Sequence, residues 1–557
     1  PEYMVPGFYV ELEAIPLTPN GKIDRKSLPG VSGEDLIRRE YTAPGNETEE
    51  KLVEIWQQTL GIEKVGVTDN FFELGGHSLA AGKILNSISR KLNKEVSLKY
   101  IFENQTIENL AKVLDSNSKA KTVIPKAETV IPKAEEKDFY ALTSDQMNIW
   151  LASQKEDLSN AYNMYSVFEI EGSFNDLLLE QSIHTVIREN EILRTNFIEK
   201  DGGIFQTVRQ EINFKIETIH VTEENFLSSI KNLTSQNFNL AADTLLRTAV
   251  VNNSNGRKYL VFLTHHIIVD GMSLEIILNK LIGVYNNETL KTTGDIQFKD
   301  YSEWQQIRIN QTMPNTHKSH AKTKVLNSDQ MRGTVKNGTF HLSTDRYDQL
   351  REISNENKTT VFSSVLTLLS IVLNKIYQQN TICLGTVFSG RNAAQLEDTI
   401  GMFIKTLPIH LPVDEISNFE SLTKINQNSL MDMEENMDRS FAGNLSELTD
   451  FLVIYQNSDT LSKDNIDFGT FVLKKQKMHS TQSRFPVVFN FFETDGLKCE
   501  VEYSENINYN LVEIILEKLS LLIDWVYGNP GKTIKEADLS TALEKQVRDS
   551  VDIDFDF

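Results

Sequence analysis

Residues 69–79, Asp69-Asn70-Phe71-Phe72-Glu73-Leu74-Gly75-Gly76-His77-Ser78-Leu79, decide how the first third of the chain is read. Two glycines ahead of a serine allow a tight turn without a Cβ penalty. Leu79, Ile84, Leu85, Ile88 and Leu92 follow at helical spacing, which predicts a helix with Ser78 at its start. A hydroxyl placed there stands beside unpaired N–H groups and the positive end of the helix dipole, a favourable place for a phosphodiester. Taken alone, Gly-Gly-x-Ser is equally a plain turn closed by a serine cap.

The surroundings are helical. Asn46-x-x-Glu49 has the pattern of a capping box ahead of a helix with Leu52, Trp56 and Leu60 on one face. Thr106 caps another, with Ile107, Leu110 and Leu114 facing inward. Thr-Val-Ile-Pro-Lys-Ala-Glu then occurs twice, at residues 122–128 and 129–135. Pro125, Pro132 and the scarcity of large apolar residues predict an extended, flexible linker over 117–137. The whole string from Asp69 to Leu79 resembles the attachment site of peptidyl carrier (thiolation) domains of nonribosomal peptide synthetases. That resemblance implies a small all-α four-helix bundle over residues 39–116. It also implies 4'-phosphopantetheine held covalently on Ser78, placed there by a phosphopantetheinyl transferase.

With 557 residues the chain is too long for one core and predicts several domains. Its 40% hydrophobic share is that of a globular protein, and a net charge of -22 argues against nucleic acid and anionic lipid as partners. No run of 18 apolar residues and no signal-like N-terminus is present, so neither a membrane span nor export is expected, and the location read is cytoplasmic. Cys383 and Cys499 lie far apart with no CxxC, which suits buried reduced thiols.

Residues 1–38, with Pro19-Asn20-Gly21-Lys22-Ile23-Asp24-Arg25 within Pro16–Leu28, resemble the closing part of an adenylation domain. The resemblance makes Lys22 a vestigial adenylate-contacting lysine, in a remnant that is not expected to activate an amino acid itself. An adenylation domain upstream is the implied partner.

Further on, the strand formers Tyr259–Thr264 lead into His265-His266-Ile267-Ile268-Val269-Asp270-Gly271, and a helix follows with Leu274, Ile277, Leu278 and Leu281 on one side. Adjacent histidines and an aspartate four residues on make poor metal geometry, so no metal is expected. The segment resembles the His-His-x-x-x-Asp-Gly motif of condensation domains. Leu142–Trp150, Glu191–Phe197, Lys299–Gln305, Gly390-Arg391 with Ile400–Leu407, and Phe451–Asn457 resemble other motifs of that family, in family order. The implied fold is α/β, two chloramphenicol-acetyltransferase-like lobes over residues 138–540, one at about 138–305 and the other at about 306–540. The implied site is His266, with His265, Asp270 and Gly271, and Arg194 pairs with Asp270 to fix the loop. Glu189-Asn190 and Lys405 depart from the family pattern.

By this resemblance the chain takes part in nonribosomal peptide synthesis. A donor thioester on the Ser78 carrier is attacked by the amine of an acceptor on a downstream carrier, giving an amide. An α-amine titrates at about 7.7 to 8.0, so a neutral histidine, ordinarily near 6.5, can take its proton or hold it by hydrogen bond. Holding both thioesters in one tunnel supplies roughly 7 to 11 kcal/mol through proximity. The tail, residues 541–557, ends in Val551-Asp-Ile-Asp-Phe-Asp-Phe557, whose period of two suits an edge strand docking on a following synthetase subunit. Two alternatives stand beside this reading, an epimerization domain and a non-catalytic recruitment or docking domain.

Overall fold

Residues 41–76, 78–92, 94, 98–116, 130–154, 160–289, 296–311, 322–324, 335–437, 445–456, 465–476, 478, 485–493, 496–507, 509–541 and 544 are described by the structure, a computed structural model. Lys22 with the adenylation-like stretch, the first copy of the seven-residue repeat and the tail Val551–Phe557 lie outside the described residues. The chain forms two units, residues 1–128 and 129–557.

Among its described residues the first unit has four helices, α1 (Glu47–Leu60), α2 (Ser78–Leu92), α3 (Leu98–Glu103) and α4 (Ile107–Ser116). Asn46 caps α1 by accepting the Glu49 N–H at 2.9 Å, while the Glu49 carboxylate reaches back to the N–H of Gly45 rather than to that of Asn46. The helix ends at Gly61 with φ +69°, a left-handed turn that glycine adopts without strain. Thr106 accepts from Asn109 at 3.3 Å and so caps α4, as expected. Leu52, Trp56, Phe71, Ile84, Ile88, Ile101, Ile107 and Leu110 close the core, with Trp56 and Phe71 meeting edge to face at 5.3 Å.

The second unit begins with β1 (Tyr140–Ala141), α5 (Ser144–Ser153), β2 (Asn163–Gly172) and α6 (Asp176–Glu189). Next come β3 (Thr195–Lys200), β4 (Gly203–Val208), β5 (Ile216–Val221) and α7 (Phe226–Thr234). β6 (Leu246–Asn253), β7 (Lys258–His265), α8 (Gly271–Tyr285) and α9 (Phe298–Gln311) complete this lobe. β7 runs antiparallel between β2 and β6, and a strand covered on both faces reads as the near-continuous apolar run Tyr259–Leu263.

The other lobe contains β8 (Val335–Leu342), α10 (Thr344–Glu356), α11 (Val361–Tyr377), β9 (Thr381–Phe388), β10 (Lys405–Pro412) and α12 (Phe419–Glu435). β11 (Phe451–Gln456), β12 (Asn465–Asp467), β13 (Phe471–Lys475), β14 (Val487–Glu493), β15 (Leu497–Ser504) and α13 (Tyr509–Gly528) follow. Its six-stranded sheet has the order β10-β9-β11-β14-β15-β8. In α11 every residue from Ser363 to Asn374 is buried, so this helix is apolar because it is the centre of the lobe. Among the described residues no single helix is long and apolar enough to cross a membrane. Cys383 on β9 and Cys499 on β15 are free and fully buried.

The lobes exchange segments, so the expected boundary near residue 305 does not divide the packing cleanly. β12 and β13 belong to the later half of the chain, yet β13 pairs with β2 and covers what would otherwise be an open edge of the earlier lobe's sheet. Between β9 and β10, Leu396, Ile400, Met402 and Phe403 cross over into the earlier lobe's core. The expectation of a free linker also needs correction over its described half. Val130–Lys137 forms neither helix nor strand, but Ile131 is 1% exposed in the same core and its backbone is bonded on both sides by the amide of Gln395. Glu136 pairs with Lys299 at 2.9 Å and Lys137 with Glu303 at 2.8 Å, anchoring the strap along α9.

Candidate functional site

In the first unit, Ser78 opens α2, a 15-residue helix with no acidic residue in its first turn. The approach to it is fixed by backbone bonds. Leu74 N donates to Asn70 O at 3.0 Å, Gly75 N to Phe72 O at 3.0 Å and Gly76 N to Phe71 O at 2.8 Å. Gly75 sits at φ +85°, and a Cβ on Gly76 would lie 2.5 Å from the buried Phe71 ring. Both glycines are therefore required by geometry, and they lie just ahead of a helix start with no acidic residue in its first turn, an arrangement that fits a phosphodiester.

In the second unit, the histidine pair lies where β7 ends, and His265 and His266 are 1% and 4% exposed. The loop is held on several sides. His266 N donates to Tyr162 O at 2.8 Å, and Gln146 Nε2 to Ile267 O at 3.1 Å. Gln146 is itself set by a reciprocal capping box with Thr143 at the start of α5. Ile267 N points at His265 Nδ1 at 3.3 Å, which requires the lone pair there and puts the proton of a neutral His265 on Nε2.

Asp270 is fully buried and holds three groups at once. Its Oδ1 accepts the Ser273 N–H at 2.7 Å, capping α8, and faces Arg391 Nη2 at 3.2 Å. Its Oδ2 accepts the Phe403 N–H at 3.1 Å. Arg391 also donates to Ser273 Oγ at 2.8 Å, to Thr399 O at 2.7 Å and to Leu396 O, and it lies 4.3 Å from the centroid of the Phe403 ring. Ser273 Oγ is bonded to both N and O of Gly401. A carboxylate and a guanidinium removed from water need such additional partners to be tolerated. Gly271, half-buried, faces open space, since a Cβ there would meet nothing within 4 Å.

The expected pair of Arg194 with Asp270 is overturned. Arg194 donates to Arg209 O and stands 3.7 Å from Glu191, and the acid of the loop is taken by Arg391 from the crossover. The physical reason is place: Arg194 closes a short 3-10 turn, Glu191–Arg194, leading into β3, whereas the crossover passes directly over the start of α8. In the sequence Arg391 is only one residue of a motif, and nothing local marks it as the partner of Asp270. The departure Lys405 also gains a partner, Asp145 on α5 at 3.0 Å. Among the described residues no group of three or more His, Cys, Asp or Glu is arranged to hold a metal ion.

The family described as Condensation domain matches residues 136–547, and that described as Phosphopantetheine attachment site matches residues 50–114. Bacitracin synthase 1 of Bacillus licheniformis is 31% identical over 575 residues, covering 98% of this chain but 11% of its own length. Surfactin synthase subunit 1 of Bacillus subtilis (strain 168) is 30% identical over 98% of this chain, and the chain spans 16% of that relative. Among solved structures, the X-domain in complex with OxyB from teicoplanin biosynthesis has a TM-score of 0.65 at 16% identity, over 73% of this chain and 98% of that one. At that identity the likeness speaks for the fold alone, a carrier-sized helical unit here preceding the two-lobed α/β architecture expected. With its greater part matched by one family, the chain belongs to the condensation-domain family and carries a phosphopantetheine attachment site ahead of that domain.

Proposed function

We propose that this chain is a carrier and condensation segment of a nonribosomal peptide synthetase, in which Ser78 holds the donor and the His266 loop joins it to an acceptor amine. The observation that carries the reading is the buried loop His265–Gly271, immobilised through Asp270 and Gln146 within the matched condensation domain. When bound to Ser78, the phosphopantetheine arm supplies the thioester sulfur and the reach. Attack of the amine forms the C–N bond and breaks the C–S bond, and the proton lost by nitrogen ends on the departing sulfur. His266 takes that proton in passing or holds the amine by hydrogen bond, and Asp270 keeps the loop in place without moving protons. Gly271 leaves the space beside the loop open. The partners of this reading are an upstream adenylation domain, a phosphopantetheinyl transferase and a downstream acceptor carrier.

The test is intact mass. A phosphopantetheinyl transferase loads a donor aminoacyl group on Ser78, and a separately loaded acceptor carrier is added. Donor mass moving to the acceptor, with loss of transfer but not loading in His266→Ala and loss of loading in Ser78→Ala, supports the reading. Undiminished product from His266→Ala ends the role of that histidine. A recruitment domain is the second reading, prompted by the structural neighbour crystallised with OxyB, and loading without transfer across several substrate pairs favours it.

A further inference from the structure

The strap that leads into the condensation domain touches the segment that grips the catalytic loop. Ile131 N donates to Gln395 Oε1 at 2.8 Å, and Gln395 Nε2 donates back to Ile131 O at 3.1 Å, so one side-chain amide brackets one linker residue as a neighbouring strand would. The Ile131 side chain is 1% exposed, packed into the core that also holds Leu396, Ile400 and Phe403. On the crossover, Thr399 Oγ1 donates to Gln395 O at 2.8 Å, closing a turn whose carbonyls at Leu396 and Thr399 both accept from Arg391. Arg391 in turn faces Asp270, whose other oxygen accepts from Phe403 N.

We propose that Gln395 is a positioning residue, which uses the linker strap at Ile131 to hold the turn that aims Arg391 at Asp270 and so keeps the His266 loop in place. The strap is then part of the support of the site. Its second-copy residue Ile131 matters for this role, whereas Pro132 and Lys133 are exposed. Coupling of this kind is earned only by a perturbation at one end read at the other.

The readout is amide hydrogen exchange in the full chain. Phe403 N and Gly401 N lie beyond Arg391 from the strap, and both are bonded to groups of the α8 start. Gln395→Ala removes two hydrogen bonds at Ile131, and the expected result is exchange faster by about tenfold in peptides covering 398–404 as well as at Ile131. Lys137→Met breaks the strap's pair with Glu303, away from Gln395, and is expected to leave 398–404 unchanged. Should Gln395→Ala not fold, Gln395→Glu keeps the acceptor for Ile131 N–H and loses the donor, and a smaller shift in the same peptides is expected. Unchanged exchange at 398–404 in the Gln395 variants, with Ile131 released, overturns the proposal. An equal change in Lys137→Met also overturns it, since the effect is then general loosening. The kinetic consequence rests on the proposed function: single-turnover transfer from Ser78 slows by about tenfold with the KM for the acceptor carrier unchanged. Failure of that arm alone, with exchange shifted, counts against the chemistry rather than the coupling.

Discussion

Replacing Asp270 by Ala tests which arginine the loop depends on. Asp270 and the Arg391 side chain are 0% and 2% exposed, so the substitution strands a buried guanidinium, which costs about 3 to 5 kcal/mol. It also uncaps α8 at Ser273, worth about 1 kcal/mol, and leaves Phe403 N without its acceptor. Because one carboxylate serves all three, the losses overlap, and about 5 kcal/mol is expected for Asp270→Ala. Arg391→Met leaves Asp270 with two N–H donors, and costs about 3 kcal/mol. In the double variant no unpaired charge remains, so the total stays near 5 kcal/mol and the coupling is about 3 kcal/mol. Arg194→Met combined with Asp270→Ala is expected to be additive within about 0.5 kcal/mol. Urea unfolding measures this, followed by Trp150, Trp304 and Trp525 fluorescence with Trp56 replaced by Phe, so that the signal reports the unit 129–557 alone. Additive losses for Asp270 with Arg391, or strong coupling of Asp270 with Arg194, refute the reasoning.

Two further outcomes follow from packing. Gly76→Ala drives a methyl to within 2.5 Å of the buried Phe71 ring and is expected to destabilise the carrier unit by about 1 to 3 kcal/mol, and an unchanged thermal midpoint of that unit contradicts it. Burial pushes the Cys383 thiol up to about 12 and that of Cys499 higher still, so at pH 8 a thiol reagent is expected to find neither in the native chain and both in urea; rapid native labelling contradicts this.

What could be read from sequence was what local chemistry encodes. The turn at Gly75-Gly76, the helix from Ser78 and the cap at Thr106 depend on neighbours within a few residues, and all three are in place. The run of strand formers Tyr259–Thr264 is in place as β7 for the same reason, though its central position in the sheet is not legible locally. The sequence does not distinguish the partner of Asp270, because Arg194 and Arg391 are equally charged and both lie in recognisable motifs. Only the crossover's path over α8, fixed by Ser273 and Gly401, chooses between them. The strap shows the same limit: Pro132 and few large apolar residues give a segment with no helix or strand, but one isoleucine finding a core 264 residues away at Gln395 leaves no periodic trace.

Lys405 makes the point in a measurable way. As a sequence it only departs from a pattern, yet its side chain is 4% exposed and pairs with Asp145, which is 21% exposed and sits in the first turn of α5. The two members are not equivalent. Without Lys405, Asp145 keeps partial contact with water and the favourable end of the helix dipole, so Lys405→Asn is expected to cost about 1 to 2 kcal/mol. Without Asp145, a nearly buried ammonium loses the carboxylate facing it, so Asp145→Ala is expected to cost about 3 kcal/mol. Urea unfolding of the two single variants gives the order directly. A larger loss from Lys405→Asn than from Asp145→Ala means that burial does not set the asymmetry of this pair, and that the lysine is held by something other than the acid of the opening helix.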